Sequence, residues 1–398
     1  MATLKQYLLL FIFCLGATVS VFSDIHIYFF DVGQGNCILL RNETNAILID
    51  AGSSNKTFRD IKDSFKECLG EAKIASIVLT HLDADHTNFV DTICSSEDPN
   101  GEKLTKDDCS IFSTTSHEDK VSLLEGTTLG KKPLGKRLQK IPDKSYSQSI
   151  DSIQDRLNDI ITEGTFNFLK ANWTNFSDIK NTNATCLVFS FTYQKHKVLF
   201  TGDSTGKAFE RYIGQLVDEG EEKFVENVYC DNNRKIIQNT GVFVMPHHGS
   251  EKNGCWRWTL NVVKNSPNLR ATIINVDAST SPYAHPRAWI KDVMWPKTMK
   301  GKRHYLVYNR GGKEFCGLPI QKNLFTTGSC KFIEVTISAG KKIDIKDHEL
   351  KEEPIYQFTG TNKERKSYVR PRSSSTETQE KQLEPPNKSS TGQRPHSG

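Results

Sequence analysis

The chain has 398 residues and carries 52 Lys and Arg against 47 Asp and Glu, a formal net charge of +5 at pH 7. So small a surplus over so long a chain does not compel nucleic-acid binding, though it fits an anionic ligand. Hydrophobic residues make up 36% of it, enough for a sizeable core, and the length is long for one domain and short for three.

The first segment, "MATLKQYLLLFIFCLGATVSVFSD", has a lone Lys5, an apolar run from Tyr7 to about Val19, and small residues before a plausible cut after Ser23. The run is too short to span a bilayer comfortably. It reads as a signal peptide over residues 1–23, with a retained anchor as the alternative. No second apolar stretch of spanning length follows. The protein is therefore expected to be secreted and extracellular, with no membrane anchor after leader removal and no protein partner. N-x-S/T acceptors at Asn42, Asn55, Asn172, Asn175, Asn183 and Asn387 agree with export. Of ten cysteines, Cys14 leaves with the leader. The odd remainder leaves at least one unpaired within the chain. No CxxC spacing occurs, which argues against a structural zinc knuckle. Cys94 with Cys109, and Cys316 with Cys330, flank short turn-rich loops and are expected to bridge.

From Asp24 onward "IHIYFF", "CILL" and "AILID" read as strands, with "DVGQGN" and "RNETN" as turns. "FRDIKDSFKECLG" has helical spacing and stops at Gly70. "IASIVLT" is a short β-branched run, expected as a buried strand. Residues 95–180 are polar, lysine-rich and broken by Gly and Pro. They read as an insertion or long loops with one helical stretch near "SIQDRLNDIITEGTFNFL". "CLVFSFTYQKHKVLFTGD" has the pattern of a hairpin, and a helix is expected after Ser204. "GVFVMPHHGS", "ATIINVD" and "HYLVYN" each read as a strand ending in a polar loop. Residues 346–398 have almost no aromatic or β-branched residues and are expected to be disordered. A single folded domain is thus expected over 24–345, with strands and helices alternating as in an α/β sandwich.

Polar clusters recur at the strand ends: "HLDADH", "TGD", "PHHGS" and "YAHP". Ligands gather at such ends in layered α/β folds. His81, Asp83, Asp85 and His86 stand on one short loop with no Lys or Arg to pair the carboxylates. Buried charges are costly unless paired or bound to metal, and oxygen and nitrogen ligands in this density match a divalent ion. Because Asp85 and His86 are adjacent, their side chains diverge, which suits a loop serving two neighbouring ions. A solvated polar loop with a helix cap is the plain alternative. Asp203 in "FTGDS" is a further ligand or a helix N-cap. His247 and His248 are ligands or surface histidines in a turn, and His285 is a ligand or a lone exposed imidazole.

The order "FFDVGQGNCILL … AILIDAG … VLTHLDADH … VLFTGD … VMPHHGS … YAHP" resembles the metallo-β-lactamase superfamily. More narrowly, it resembles the metallo-β-lactamase-like domain of ComEC-type DNA-uptake proteins. The likeness spans about residues 25 to 310. It implies an αββα metallo-β-lactamase-like sandwich, with a long insertion and a disordered C-terminal tail. It also implies a site at one edge for one or two divalent ions, zinc or manganese. By position it implies His81, Asp83, Asp85, His86, Asp203, His247 and His285 as metal ligands. Asp85 and His248 are expected to be catalytic, with His248 either a ligand or a partner of one. Asp31, Gly33 and Gly35 match the family's opening turn and look structural. Asn36 stands where the family has Asp, and Thr87 and Asn88 stand where it has a glycine pair. Asp83 in place of a second histidine hardens the ligand set and moves preference toward Mn²⁺ or Mg²⁺ relative to Zn²⁺.

Metal-activated water acting on phosphodiesters is the expected chemistry. Lys252, Arg257 and Arg287 lie close in sequence to the site motifs and could hold nucleic acid or another anionic substrate, Lys252 and Arg287 being the expected contacts; the plain alternative is exposed charge that serves solubility. Two alternatives stay open: hydrolysis of a small ester, lactone or thioester, and a catalytically inactive binding protein that keeps the fold.

Overall fold

Nearly continuous burial along the first segments, with side chains alternating between two apolar faces, builds one sheet from its centre outward. IHIYFF forms β1 (Ile25–Phe30), CILLR forms β2 (Cys37–Arg41) and NAILIDA forms β3 (Asn45–Ala51). A short turn at Phe58–Asp60 leads into α1 (Lys62–Leu69), which stops at Gly70, whose φ of 60° favours glycine. The run expected as a buried strand is β4 (Lys73–Leu79). The short helices α2 (Ala84–Thr87) and α3 (Val90–Ser95) follow it. The structure, a computed structural model, describes residues 23–98, 100–114, 146–171, 182–214, 229–250, 255–276 and 331–338. It also describes the shorter segments 128–129, 132–133, 138–141, 285, 308–310, 313–315, 324–327, 343–348, 356–359 and 365–368. The expected leader and the Cys316–Cys330 pair lie outside the described residues. Among these residues no helix is long and apolar enough to cross a membrane.

Within 95–180, read from sequence as an insertion or long loops, the described residues form regular elements. They supply β5 (Thr105–Thr114) and β6 (Leu138–Ile141) to the first sheet, then α4 (Tyr146–Ile160), then β7 (Thr165–Phe168) in the second. The expected hairpin is β8 (Phe189–Tyr193) with β9 (His196–Phe200), and α5 (Gly206–Ile213) is the helix expected after Ser204. Next come α6 (Cys230–Ile237), β10 (Val242–Val244), α7 (Trp256–Asn265) and β11 (Ala271–Ile274). The chain closes with β12 (Leu324–Thr326), β13 (Phe332–Ile337) and β14 (Asp344–His348). Of "HYLVYN" only the end is described, in a ribbon of Tyr308–Arg310 with Lys313–Phe315 outside both sheets.

The first sheet runs β14-β13-β1-β2-β3-β4-β5-β6 and the second β12-β11-β10-β9-β8-β7. One continuous core fills the space between them, with Ile27, Phe29, Ile47 and Ile49 facing Phe166, Phe189, Val198 and Phe243. The other face of the first sheet packs Phe30, Leu39, Leu48 and Ile77 under Phe65, Leu69, Val90 and Ile93. Helices α5, α6 and α7 cover the second sheet through Phe209, Tyr212, Ile237 and Trp258. The architecture is a metallo-β-lactamase-type sandwich of two sheets between helices.

Four local features bear on the expectations from sequence. The boundary at 345 falls inside β14, which pairs with β13 through His348, where the imidazole donates to Glu334 at 2.9 Å and stacks on Phe332. The tail agrees with the expected disorder, and its described residues beyond β14 are a ribbon of Tyr356–Thr359 with Arg365–Tyr368. Cys94 and Cys109, expected to bridge, are both buried in one apolar cluster. In the loop between them Leu104 N bonds Ser96 O at 3.1 Å, and Lys73 pairs with both Asp98 and Glu102. Finally, two N-x-S/T acceptors are internal. Asn42 donates to both oxygens of Glu163 at 3.0 Å and accepts from the amides of Thr44 and Asn45, while Asn183 is 8% exposed. Both side chains are buried in the folded protein.

Candidate metal centre

The site forms where the carboxyl ends of β3, β4, β9, β10 and β11 meet. Asp50 closes β3 in a left-handed conformation, φ 54°, fully buried. It accepts from Thr80 N at 2.7 Å and Thr80 Oγ1 at 2.8 Å, from Asn36 Nδ2 at 3.2 Å and from His86 Nδ1 at 2.8 Å. Four donors offset the burial of this carboxylate. Its bonds also lock the start of the HLDADH loop to the neighbouring strand. Gly52 makes room for that loop: a Cβ there would lie 2.6 Å from Ala84 O, Asp85 C and His86 N. Asn88 takes the place of the family's glycine by exchanging two hydrogen bonds with the Ser53 backbone, at 3.0 and 2.7 Å. Asp31 caps the opening turn, accepting from Gly33 N and pairing with Lys56 at 2.8 Å.

Asp83 sits at the N-cap position of α2 but makes no capping bond with its side chain. Its Oδ2 instead faces His81 Nε2 at 3.5 Å. Asp203 is likewise not a cap. Thr205 Oγ1 caps α5 by accepting from Ala208 N. Gly202, φ 50°, leaves room only for hydrogen against Thr80, which keeps Asp203 beside the HLDADH loop. After β10 the backbone turns through His247, His248 and Gly249, all with positive φ. Left-handed non-glycine residues cost roughly 1–2 kcal/mol each, and such strain collects at functional sites.

The ring tautomers follow from partners that can only accept. His86 Nδ1 donates to Asp50, and His248 Nδ1 donates to the Asn275 carbonyl at 2.8 Å. Thr80 gives its hydroxyl proton to Asp50, so His81 Nδ1 donates to Thr80 Oγ1 at 3.2 Å. When the rings are neutral, as metal binding requires, all three Nε2 atoms present lone pairs. They and Asp203 Oδ1 are buried without a hydrogen-bond partner. His86 Nε2 and His248 Nε2 approach Asp203 Oδ1 at 3.1 and 3.3 Å, and Asp85 Oδ2 lies 3.5 Å from His248 Nε2. Ligand atoms of Asp85, His86, Asp203 and His248 all lie within 4.8 Å of one another. Converging buried acceptors with no donor among them are what a divalent cation requires, and the donor set fits one.

Protons show the same field. Burial opposes charge on His86, but Asp203 and Asp50 outweigh it and hold its pKa well above 6.5. His248 is also raised against burial, by Asp203 and Asp85. Burial works against ionised Asp203, yet His248, His86 and His247 hold it well below 3.8; Asp85 is lowered to about 2, chiefly by His248 and His86 acting against burial.

Of the residues expected to bind metal, the structure brings Asp85, His86 and Asp203 into one cluster and adds His248. His247 stands on the other oxygen of Asp203, 3.6 Å away, with Cys255 Sγ 3.8 Å from its Nδ1. Burial pulls its pKa down. The His81 ring lies tilted against His86, with centroids 4.1 Å apart, and His285 is buried 5.9 Å from the His247 ring. Arg257 pairs with Glu210. Lys252 and Arg287 lie outside the described residues. Asp50, Thr80 and Asn275 were not singled out from sequence. The signal for Asp50 was an acid closing a wholly apolar strand; nothing local marks Asn275.

A family model described as the metallo-beta-lactamase superfamily matches residues 30–253, more than half of the chain. Similar solved structures include the metallo-beta-lactamase fold protein YhfI from Bacillus subtilis, 12% identical, covering 56% of this chain and 70% of that one, TM-score 0.30. A diphosphatase of the PhnP family is 10% identical, with 60% and 71% coverage and TM-score 0.34. A protein of Parabacteroides distasonis assigned as a metal-dependent hydrolase is 13% identical, with 67% and 89% coverage and TM-score 0.32. No curated protein matches the chain.

Proposed function

The chain belongs to the metallo-β-lactamase superfamily, and on that premise we propose that it is a secreted metal-dependent hydrolase of phosphodiester bonds in nucleic acid, akin to the ComEC-type domain. The observation that carries the hydrolase reading is the convergence of Asp85, His86, Asp203 and His248, three of which bring buried ligand atoms without a hydrogen-bond partner. Bound divalent ions supply a Lewis acid, a lowered pKa for water and, as a pair, a clamp on both oxygens of an in-line displacement. Asp203 is placed to serve two positions. Its Oδ1 faces His86 and His248, and its Oδ2 faces His247. His81 and Asp83 would complete the second position. Asp50 and the Asn275 carbonyl hold the ligand rings in the tautomer that leaves Nε2 bare. His247, kept neutral by burial, can accept or return a proton at Nε2 beside Asp203.

The test incubates purified protein with single- and double-stranded DNA and with RNA, in Mn²⁺ or Zn²⁺, with and without chelator. Cleavage should need metal. Asp203→Ala should lower it by more than about a hundredfold, beyond the 10–100-fold typical of groups one layer behind the ligands. Turnover of small esters, lactones or thioesters with no nucleic-acid cleavage would move the substrate class. A metal-loaded protein that hydrolyses neither would be a binding protein.

A further inference from the structure

The histidines of the four-group cluster come from different sheets. His86 follows β4 of the first, and His248 follows β10 of the second. Each is held from behind, and the two supports are joined. Asp50 accepts from His86 Nδ1 and also from Asn36 Nδ2. Asn36 Oδ1 accepts from Asn275 Nδ2 at 2.8 Å. The Asn275 main-chain carbonyl accepts from His248 Nδ1. We propose that the Asn36–Asn275 side-chain pair is a positioning device that sets the separation of His86 and His248, and so the aperture of the metal centre across the two sheets. The proposal rests on reading the cluster as a metal centre.

Orientation along the chain of bonds is forced. Asp50 can only accept, so the Asn36 amide nitrogen must face it. The Asn36 oxygen is then left as an acceptor, which turns the Asn275 nitrogen toward it. The cost falls on Asn275 Oδ1, which is buried without a partner. A polar pair kept for stability alone would not strand an acceptor in the interior. The departure from the family pattern at residue 36 gains a reason here. A neutral side chain offering one donor and one acceptor spans Asp50 and Asn275. The ionised carboxylate introduced by Asn36→Asp would instead turn an acceptor toward the Asp50 carboxylate. Asn36 is 4% exposed and Asn275 2%, so neither touches substrate; both act through the histidines.

The probe is Zn²⁺ affinity by chelator competition, with the visible spectrum of the Co²⁺-loaded protein as a report on ligand geometry. Asn36→Ala, Asn36→Asp and Asn275→Ala are compared with wild type, and the melting of each metal-free protein checks its fold. Asn275→Ala keeps the carbonyl that holds His248, and carries the test should Asn36→Ala fail to fold. Each single variant should weaken Zn²⁺ binding about 10- to 100-fold and shift the Co²⁺ bands. The double alanine variant should bind no more than about threefold worse than the weaker single, because one broken link already severs the bridge. Folded variants that bind within about twofold of wild type with unchanged Co²⁺ bands overturn the bridge, as do fully additive losses. Wild-type protein that takes up neither ion overturns the metal reading itself.

Discussion

His86 and His248 are caught between two carboxylates' pull for a proton and the demand of a cation for a bare nitrogen. Their raised pKa values stabilise the metal-free fold fully below about pH 6.5, and that contribution is lost as pH rises through the higher folded-state values. Asp203 and Asp85 are lowered, so their contribution is present above the ordinary 3.8 and lost only as pH falls below it. The metal-free protein should therefore be most stable at mildly acidic pH and melt at lower temperature from about pH 6.5 upward. Metal affinity should rise over the same range, since binding displaces those protons. Melting curves of chelated and zinc-loaded protein at several pH values check both trends. A metal-free melting temperature that climbs between about pH 6 and 9 would contradict this assignment of protons. The same residues show why the histidine pair at 247–248 was hard to read. The two rings point differently because both backbones are left-handed, and only His248 finds the Asn275 carbonyl 27 positions away.

At the scale of elements, the legible parts were those whose burial follows a simple period. β1 to β4, the β8–β9 hairpin and α1 stand where the pattern of apolar residues put them. β5 did not show itself because its register with β4 slips, from Ile74↔Thr105 to Ser76↔Ser110. Residues 106–109 step out of the ladder there, and Asp107 and Asp108 are exposed. A strand that carries charges through its first half looks like a loop. β7 was hidden differently: TFNF follows α4 so closely that its alternation merged with the helical stretch, although Phe166 and Phe168 are fully buried. The HLDADH loop depends on contact with the turn after β3, and Gly52→Ala tests that contact. The new methyl would meet only backbone, so the loop must shift, at a cost of roughly 1–3 kcal/mol. A lower melting temperature together with weaker metal binding is expected. Loss of stability with unchanged metal affinity would uncouple the turn from the site.

For the whole molecule, the centre lies across the seam between the two sheets, with His81, Asp85 and His86 on one side and Asp203 and His248 on the other. A cation held there ties the halves together, so binding should raise the melting temperature with concentration. At a free metal concentration about 100 times Kd the gain is about 2.7 kcal/mol. Titration should also show two affinities. The tighter belongs to the four-group cluster and the weaker to the looser set around His81, Asp83 and His247, where the Asp203–His247 and His81–Asp83 distances are 3.6 and 3.5 Å. Calorimetry or elemental analysis after dialysis separates them. A single step at two equivalents would merge the positions, and a melting temperature indifferent to metal would deny the clamp.

Sequence alone determined that polar side chains crowd the ends of apolar strands, in an order that already carried the superfamily and its two-sheet sandwich. It could do so because burial periodicity and the density of His and Asp are local properties. Tertiary structure decided which lone pairs are free, because a tautomer depends on the partner of the opposite ring nitrogen. It also decided that Asp50 stands behind His86 and that Asn36 joins Asn275, 239 positions away. Those pairings exist only once the two sheets have closed on each other, and no window of neighbouring residues contains them.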